Sequence, residues 1–174
     1  MTTEAAFQKQ VPPEGTGMIP ASSRWIPTKD GDPRALGLFK RHYSCPPGPR
    51  KVRLFVAPGE KMVLLTPLCD ALFVWLKNRI ERYDHQDGVI CTVFRNEGPM
   101  LSSDLITEAM HCAQQRWPGE RLFTYVSPRH VTSPNPGYCF KRAGWRFSGV
   151  SPKGLHILDW SPITATNHEG EAPP

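Results

Sequence analysis

Between Phe94 and Ser103 the chain reads Phe94-Arg95-Asn96-Glu97-Gly98-Pro99-Met100-Leu101-Ser102-Ser103, and these residue types suit anion chemistry. A strand that ends in an arginine, a glycine turn and two serines opening a helix bring free backbone amides, a guanidinium and hydroxyls to one point. Gly98, Ser102 and Ser103 are candidate cradle residues, although either serine also serves as an ordinary helix cap. Arg95 can hold a phosphate or fork onto a planar base, or it can pair with Glu97 or Asp104. Further on, Asn135 stands between Pro134 and Pro136, which leaves it few conformations. Its amide can fix the loop or touch a bound cofactor. Tyr138 follows, and its phenol suits a proton donor or a pocket wall.

The elements that must position these residues are legible around them. The apolar run Val89 to Phe94 predicts a strand, and the 3.6-residue spacing of Leu105, Ile106, Ala109, Met110 and Ala113 predicts an amphipathic helix opening at Ser102 or Ser103. Asp104 suits its positive end, and Trp117-Pro118-Gly119 stops it. Leu122 to Val126 predicts a second strand, so strand, helix and strand form a crossover with the strands parallel. Upstream, Asp32 and Pro33 mark the start of a short helix, which Cys45-Pro46-Pro47-Gly48-Pro49 ends. Three apolar runs follow, Val52 to Val56, Lys61 to Thr66 and Ala71 to Leu76. The last two are joined by Pro67-Leu68-Cys69-Asp70 as a hairpin, apolar on both faces and so placed in mid-sheet. Tyr138 to Ala143 is expected to be a short helix closed by Gly144, and Trp145 to Trp160 a last strand pair. The expected fold is α/β in the α+β sense: a mixed, mostly antiparallel central sheet with one βαβ crossover and flanking helices. Residues 1–32 read as a surface arm, 33–163 as the catalytic domain and 164–174 as a frayed tail.

The 174 residues carry a net charge of +5, and its distribution is uneven. Pro33 to Gly59 holds Arg34, Lys40, Arg41, Arg50, Lys51 and Arg53 with no acid. Arg121 to Leu158 holds Arg121, Arg129, Lys141, Arg142, Arg146 and Lys153, again with no acid. Such segregation points to a polyanion, either a phosphorylated cofactor or nucleic acid. No apolar run has the roughly 20 residues that a membrane helix needs. The start, Met1-Thr2-Thr3-Glu4, lacks a basic segment and an apolar signal core, so a cytoplasmic protein with reduced cysteines is expected.

This order of elements, with Phe140-Lys141-Arg142-Ala143-Gly144-Trp145 after the fifth strand, resembles the GNAT acyltransferase superfamily, in which a Tyr-x-x-x-Gly-Phe segment stands there. A narrower likeness is to the Mom family of phage DNA-modification proteins. It is carried by Arg41-His42-Tyr43-Ser44, by Phe94-Arg95-Asn96-Glu97-Gly98 with Ser102-Ser103-Asp104-Leu105, and by Asn135-Pro136-Gly137-Tyr138-Cys139-Phe140. The resemblance implies an enzyme that adds an acyl-derived group to the exocyclic amine of adenine in double-stranded DNA, protecting phage DNA from restriction. It implies acetyl-CoA or a related acyl donor, with Phe94, Gly98, Ser102, Ser103 and Asn135 around the donor and Arg95, Tyr138, His42 and Tyr43 as catalytic residues. Tyr43 would stack on an extruded base and His42 would handle a proton. Arg41, Arg50, Lys51, Arg53, Arg129, Lys141 and Arg142 would grip the flanking phosphates. No metal-ligand spacing is present, the need for a metal stays open, and a homodimer is compatible with the reading.

Two departures are visible in the residues. Where the superfamily usually has Gln/Arg-x-x-Gly-x-Gly/Ala, Pro99-Met100 removes an amide and adds bulk, so pyrophosphate binding is weakened or rearranged. Phe140 also stands where a tyrosine acid is common, with Tyr138 two residues off register. A GNAT acetyltransferase acting on a small-molecule or protein amine, and a non-catalytic nucleic-acid-binding module on the same scaffold, remain the competing readings.

Overall fold

Strands that are apolar on both faces need a covering layer on each side, and the chain supplies two. The structure, a computed structural model, describes residues 23–48, 53–131 and 133–162. It is a mixed α+β fold on one seven-stranded sheet. The strands are β1 (Ile26–Thr28), β2 (Glu60–Leu65), β3 (Ala71–Lys77), β4 (Val89–Asn96), β5 (Leu122–Val126), β6 (Arg146–Val150) and β7 (His156–Trp160). Their spatial order is β1-β2-β3-β4-β5-β7-β6. Every neighbouring pair is antiparallel except β4 and β5, which run parallel on either side of the crossover helix.

Among the described residues three helices flank the sheet: α1 (Pro33–Lys40), α2 (Ser102–Arg116) and α3 (Tyr138–Arg142). One face buries Leu64, Phe73, Trp75, Val89 and Leu122 against Leu105, Ile106 and Ala109 of α2 and Phe140 of α3. The other buries Val63, Leu72, Val74, Ile90 and Phe123 against Ala35, Leu38 and Phe39 of α1. The central strands β2 to β5 thus feed alternate side chains into two separate cores, as their two-faced apolar pattern requires. The Asp32 carboxylate caps α1 by accepting the Arg34 amide at 2.8 Å, with Pro33 at the first helical position. No helix among the described residues is long and apolar enough to cross a membrane.

The structure departs from the sequence reading in three places. The residues 53–56 form no strand; Phe55 is held by its amide donating to Asp30 Oδ1 at 2.9 Å and by stacking on Phe39. Neither serine caps α2: the N-cap is Leu101 and no side chain bonds the free amides there. The stretch read as an arm holds β1 and the core residue Trp25, while residues 1–22 and 163–174 lie outside the described part. Trp25 is 2 % exposed and its Nε1–H donates to Leu105 O at 2.8 Å, which anchors the start of the fold to α2. An indole that fills a core and also satisfies a carbonyl outweighs the local polar composition that suggested a loose arm. Trp25→Ala is expected to destabilise the chain by about 3–5 kcal/mol in urea unfolding. A loss under about 1 kcal/mol, the size of a surface effect, would remove Trp25 from the core.

Candidate functional site

The cavity of interest begins with one extra residue. Across β3 and β4, Val74 faces Val93 and Trp75 faces Cys91, so Thr92 has no partner and forms a β-bulge. A bulge bends its strand and interrupts pairing. Here it also resets the alternation: Cys91 and Phe94 both face the α2 side, whereas Val93 turns to the α1 side. On the other edge of β4, pairing with β5 stops at Cys91 and Thr124, although β4 runs on to Asn96 and β5 to Val126. The Thr124 hydroxyl donates to Cys91 O at 3.0 Å and closes the apex. Beyond the apex the strands part, and a cavity of about 330 Å³ opens between them. Its wall includes Thr92, Val93 and Phe94 from β4, Thr124 and Tyr125 from β5, and Tyr138, Cys139 and Phe140 from α3. The Thr92 hydroxyl is buried and has no hydrogen-bond partner among the described residues.

His42 and Tyr43 form the rim on the α1 side. The helix ends at Lys40, so both lie in the turn that follows and both line the cavity. Tyr43 packs against two imidazoles, tilted on His42 at 4.3 Å and stacked with His130 at 5.3 Å between ring centroids. Its hydroxyl reaches Tyr125 O, a carbonyl of β5 past the point where the strands separate. The Ser44 amide, which can only donate, lies 3.2 Å from His42 Nδ1, so Nδ1 accepts and the neutral ring carries its proton on Nε2. Burial, with the positive charge of Arg95 as a second cause, pushes the His42 pKa down to about 4. At neutral pH this side chain is therefore an uncharged N–H donor at the cavity rim.

Arg95 itself stays out of the cavity wall. Past the bulge its side chain falls with Val93 on the α1 side, where it pairs with Glu97 and donates to Arg41 O. Arg41 forks onto the same carboxylate, Nε to Oε1 at 2.8 Å and Nη2 to Oε2 at 2.7 Å. Hydrogen bonds from Arg41 and then Arg95 hold the Glu97 carboxyl down to about 2. One fork from Arg41 and one bond from Arg95 on the same acid, with Arg95 also on Arg41 O, fasten the turn carrying His42 and Tyr43 to the end of β4, so Arg41 and Arg95 act as positioning residues.

The expected anion cradle has other occupations. Gly98, Ser102 and Ser103 are not part of the cavity wall. The Gly98 amide donates to Asn96 Oδ1 at 3.0 Å, and the carboxylate of Asp70 lies against the Gly98 α-carbon. These residues do not fit a coenzyme A pyrophosphate. On the α3 side, Gly137 precedes the helix at φ +75°, and a Cβ there would sit 2.3 Å from Leu158 Cδ1, so glycine lets α3 close over the cavity. Asn135 and Tyr138 both reach the wall. The Asn135 side-chain carbonyl also accepts from Lys141 Nζ. Tyr138 is half exposed, and Phe140 packs edge-on to Phe94 behind it.

Of the residues singled out from sequence, His42, Tyr43, Phe94, Asn135 and Tyr138 meet at one cavity, whereas Arg95, Gly98, Ser102 and Ser103 stand outside its wall. Thr92 and Thr124 are additions to the wall, and His130 backs the rim through Tyr43. Only a one-residue offset between facing strands reveals Thr92, and His130 lies in a loop with no periodicity to expose it. Among the expected DNA-contacting cations, Arg53, Arg129 and Arg142 are exposed and lack an ion pair among the described residues. Arg41 and Lys141 are engaged as above, and Arg50 and Lys51 lie outside the described residues.

No family model, curated protein or solved structure matches the chain. The functional reading therefore rests on the cavity itself. Its most accessible observable is the His42 ring, whose NMR titration is expected to show a midpoint near 4, moving upward in Arg95→Leu as the opposing charge is lost. The unfolded ring binds its proton at the ordinary value of 6.5, so lowering the pH from there toward 4 favours the unfolded chain. A native midpoint at 6.5 would mean that the ring is solvated and free of the rim.

Proposed function

We propose that the chain is a GNAT-like transferase of the Mom kind, adding an acyl-derived group to the exocyclic amine of adenine in DNA. One observation carries this reading. The parallel strands β4 and β5 part beyond Cys91 and Thr124 onto a cavity with a neutral imidazole and a stacked tyrosine at its rim. Parted strands offer unpaired backbone groups to an extended donor arm, and an aromatic rim offers a stacking surface to a base taken out of the duplex.

The adenine amine is a weak nucleophile because its lone pair is delocalised into the ring. Attack on an acyl carbon therefore gains most from a donor aimed at the oxygen on which charge accumulates. His42 suits that role as a neutral ring: it presents its Nε2 proton and adds no charge that would have to be desolvated. Tyr43, packed against His42 and His130, makes a stiff aromatic edge at the rim, and the more exposed Tyr138 in the cavity wall offers a ring to a base. Arg129, next to His130, and Arg142, at the end of α3, are cations whose exposure suits the phosphates on either side of an extruded nucleotide.

The test is mass spectrometry of nucleosides from the DNA of cells expressing the chain. A modified deoxyadenosine is expected with the wild type, lower by about 100-fold or more in His42→Phe, the scale of a lost donor to a developing oxyanion. Arg129→Ala with Arg142→Ala is expected to weaken DNA binding and flatten its salt dependence by about one unit of slope per lost phosphate contact. Unmodified DNA together with acetylation of a small amine or a protein would instead support the acetyltransferase reading. Unmodified DNA with intact DNA binding would support a binding module.

A further inference from the structure

A coenzyme A donor carries its acyl group on an uncharged pantetheine arm and its charge on a pyrophosphate, which a turn before a helix commonly holds by backbone amides. In this chain the first half of that turn is already committed. The Glu97 amide donates to Asp70 O at 2.7 Å, the Gly98 amide donates to Asn96 Oδ1 at 3.0 Å, and residue 99 is a proline without an amide. Asn96 Nδ2 meanwhile donates to Met100 O at 2.7 Å and Ser102 Oγ at 3.1 Å, so one side chain ties the turn to itself.

The charges point the same way. The Asp70 carboxylate lies where a Cβ on Gly98 would stand, which sets an acid directly against the turn. Asp70 accepts from Thr66 Oγ1 at 2.6 Å and has no cationic partner among the described residues. Arg41 and Arg95, the cations that could offset it, are both committed to Glu97. Asp104 adds a further acid in the first turn of α2. A pyrophosphate at Glu97 to Pro99 would meet an un-neutralised carboxylate, two amides already committed and a residue without one, which leaves only the amides that open α2 to offset the like charge. The cavity between β4 and β5 has the opposite character: Val93, Phe94 and Phe140 supply apolar wall, and the only buried unpartnered side-chain oxygen there is the neutral hydroxyl of Thr92.

We infer that the cavity takes its acyl donor as a thioester or ester recognised by the acyl group and an uncharged arm, with no contribution from a pyrophosphate at the turn before α2. This rests on reading the cavity as an acyl-transfer site and narrows the donor class for it. The donor's carrier can then be any group that leaves through the mouth, and its nucleotide, where it has one, stays in solvent.

Calorimetric titration of the full chain tests this with three probes: acetyl-CoA, S-acetylpantetheine and adenosine 3′-phosphate 5′-diphosphate. Acetyl-CoA and S-acetylpantetheine are expected to bind within about tenfold of each other, and the nucleotide alone to give no heat at millimolar concentration. An advantage of more than about tenfold for acetyl-CoA, less than even one charge-assisted hydrogen bond at the top of its range supplies, would overturn the inference. Binding of neither thioester would overturn it as well. The outcome is separable from the choice of acceptor. S-acetylpantetheine binding with unmodified cellular DNA removes the adenine reading and leaves this one standing, and modified DNA with no binding of either thioester does the reverse.

Discussion

One unpaired residue governs this architecture. Thr92 is inserted into β4 opposite an uninterrupted β3, and a strand cannot absorb an extra residue without bending and changing the phase of every side chain after it. Both effects are visible. The bend coincides with the end of pairing between β4 and β5, and the phase change sends Phe94 to the α2 side and Arg95 to the α1 side. A sheet that stayed paired along its whole length would have no room for a ligand between its central strands. The two hydrophobic cores tolerate the insertion because each is sealed by its own helices, α2 and α3 on one side and α1 on the other.

Electrostatics then stabilises what the bulge opens. Glu97 gathers Arg41 from the end of α1 and Arg95 from the end of β4, with its carboxyl held well below its usual range by both guanidiniums. The groups are partly exposed, so their value lies less in stability than in geometry: a forked pair fixes direction as well as distance. That geometry sets the turn bearing His42 and Tyr43 over the gap. Arg95 also adds to the burial that keeps His42 neutral. One ion cluster therefore fixes the position of the rim and sets part of its protonation state.

The same cluster shows why charge read along the chain differs from charge in space. Pro33 to Gly59 and Arg121 to Leu158 have no acids, yet Arg34 pairs with Asp32, Arg41 with Glu97 and Arg121 with Asp159, each acid coming from outside its block. The positive surface that remains is narrower than the sequence suggested, with Arg129 and Arg142 as its exposed members on the elements that also wall the cavity. Asp70 has the reverse history, arriving from the β2–β3 turn to sit against Gly98 and change what the turn before α2 can accept.

Periodicity and capping by themselves determined the α+β class, the β2–β3 hairpin, the crossover of β4, α2 and β5, the start of α1 at Asp32 and the end of α3 near Gly144. They are local properties: alternation, 3.6-residue spacing, proline and glycine act within a few residues of where they stand. His42, Tyr43, Asn135 and Tyr138 were also legible, because loops and helix ends carry polar and aromatic residues with little packing to explain them. Tertiary structure alone decided that β7 lies between β5 and β6, that Trp25 belongs to the core, that Arg95 faces away from the cavity and that Asp70 lies against the turn before α2. Each of these depends on a partner distant in sequence or on a register offset of one residue. Neither leaves a trace in composition or spacing, since a bulge is defined only by the strand across from it.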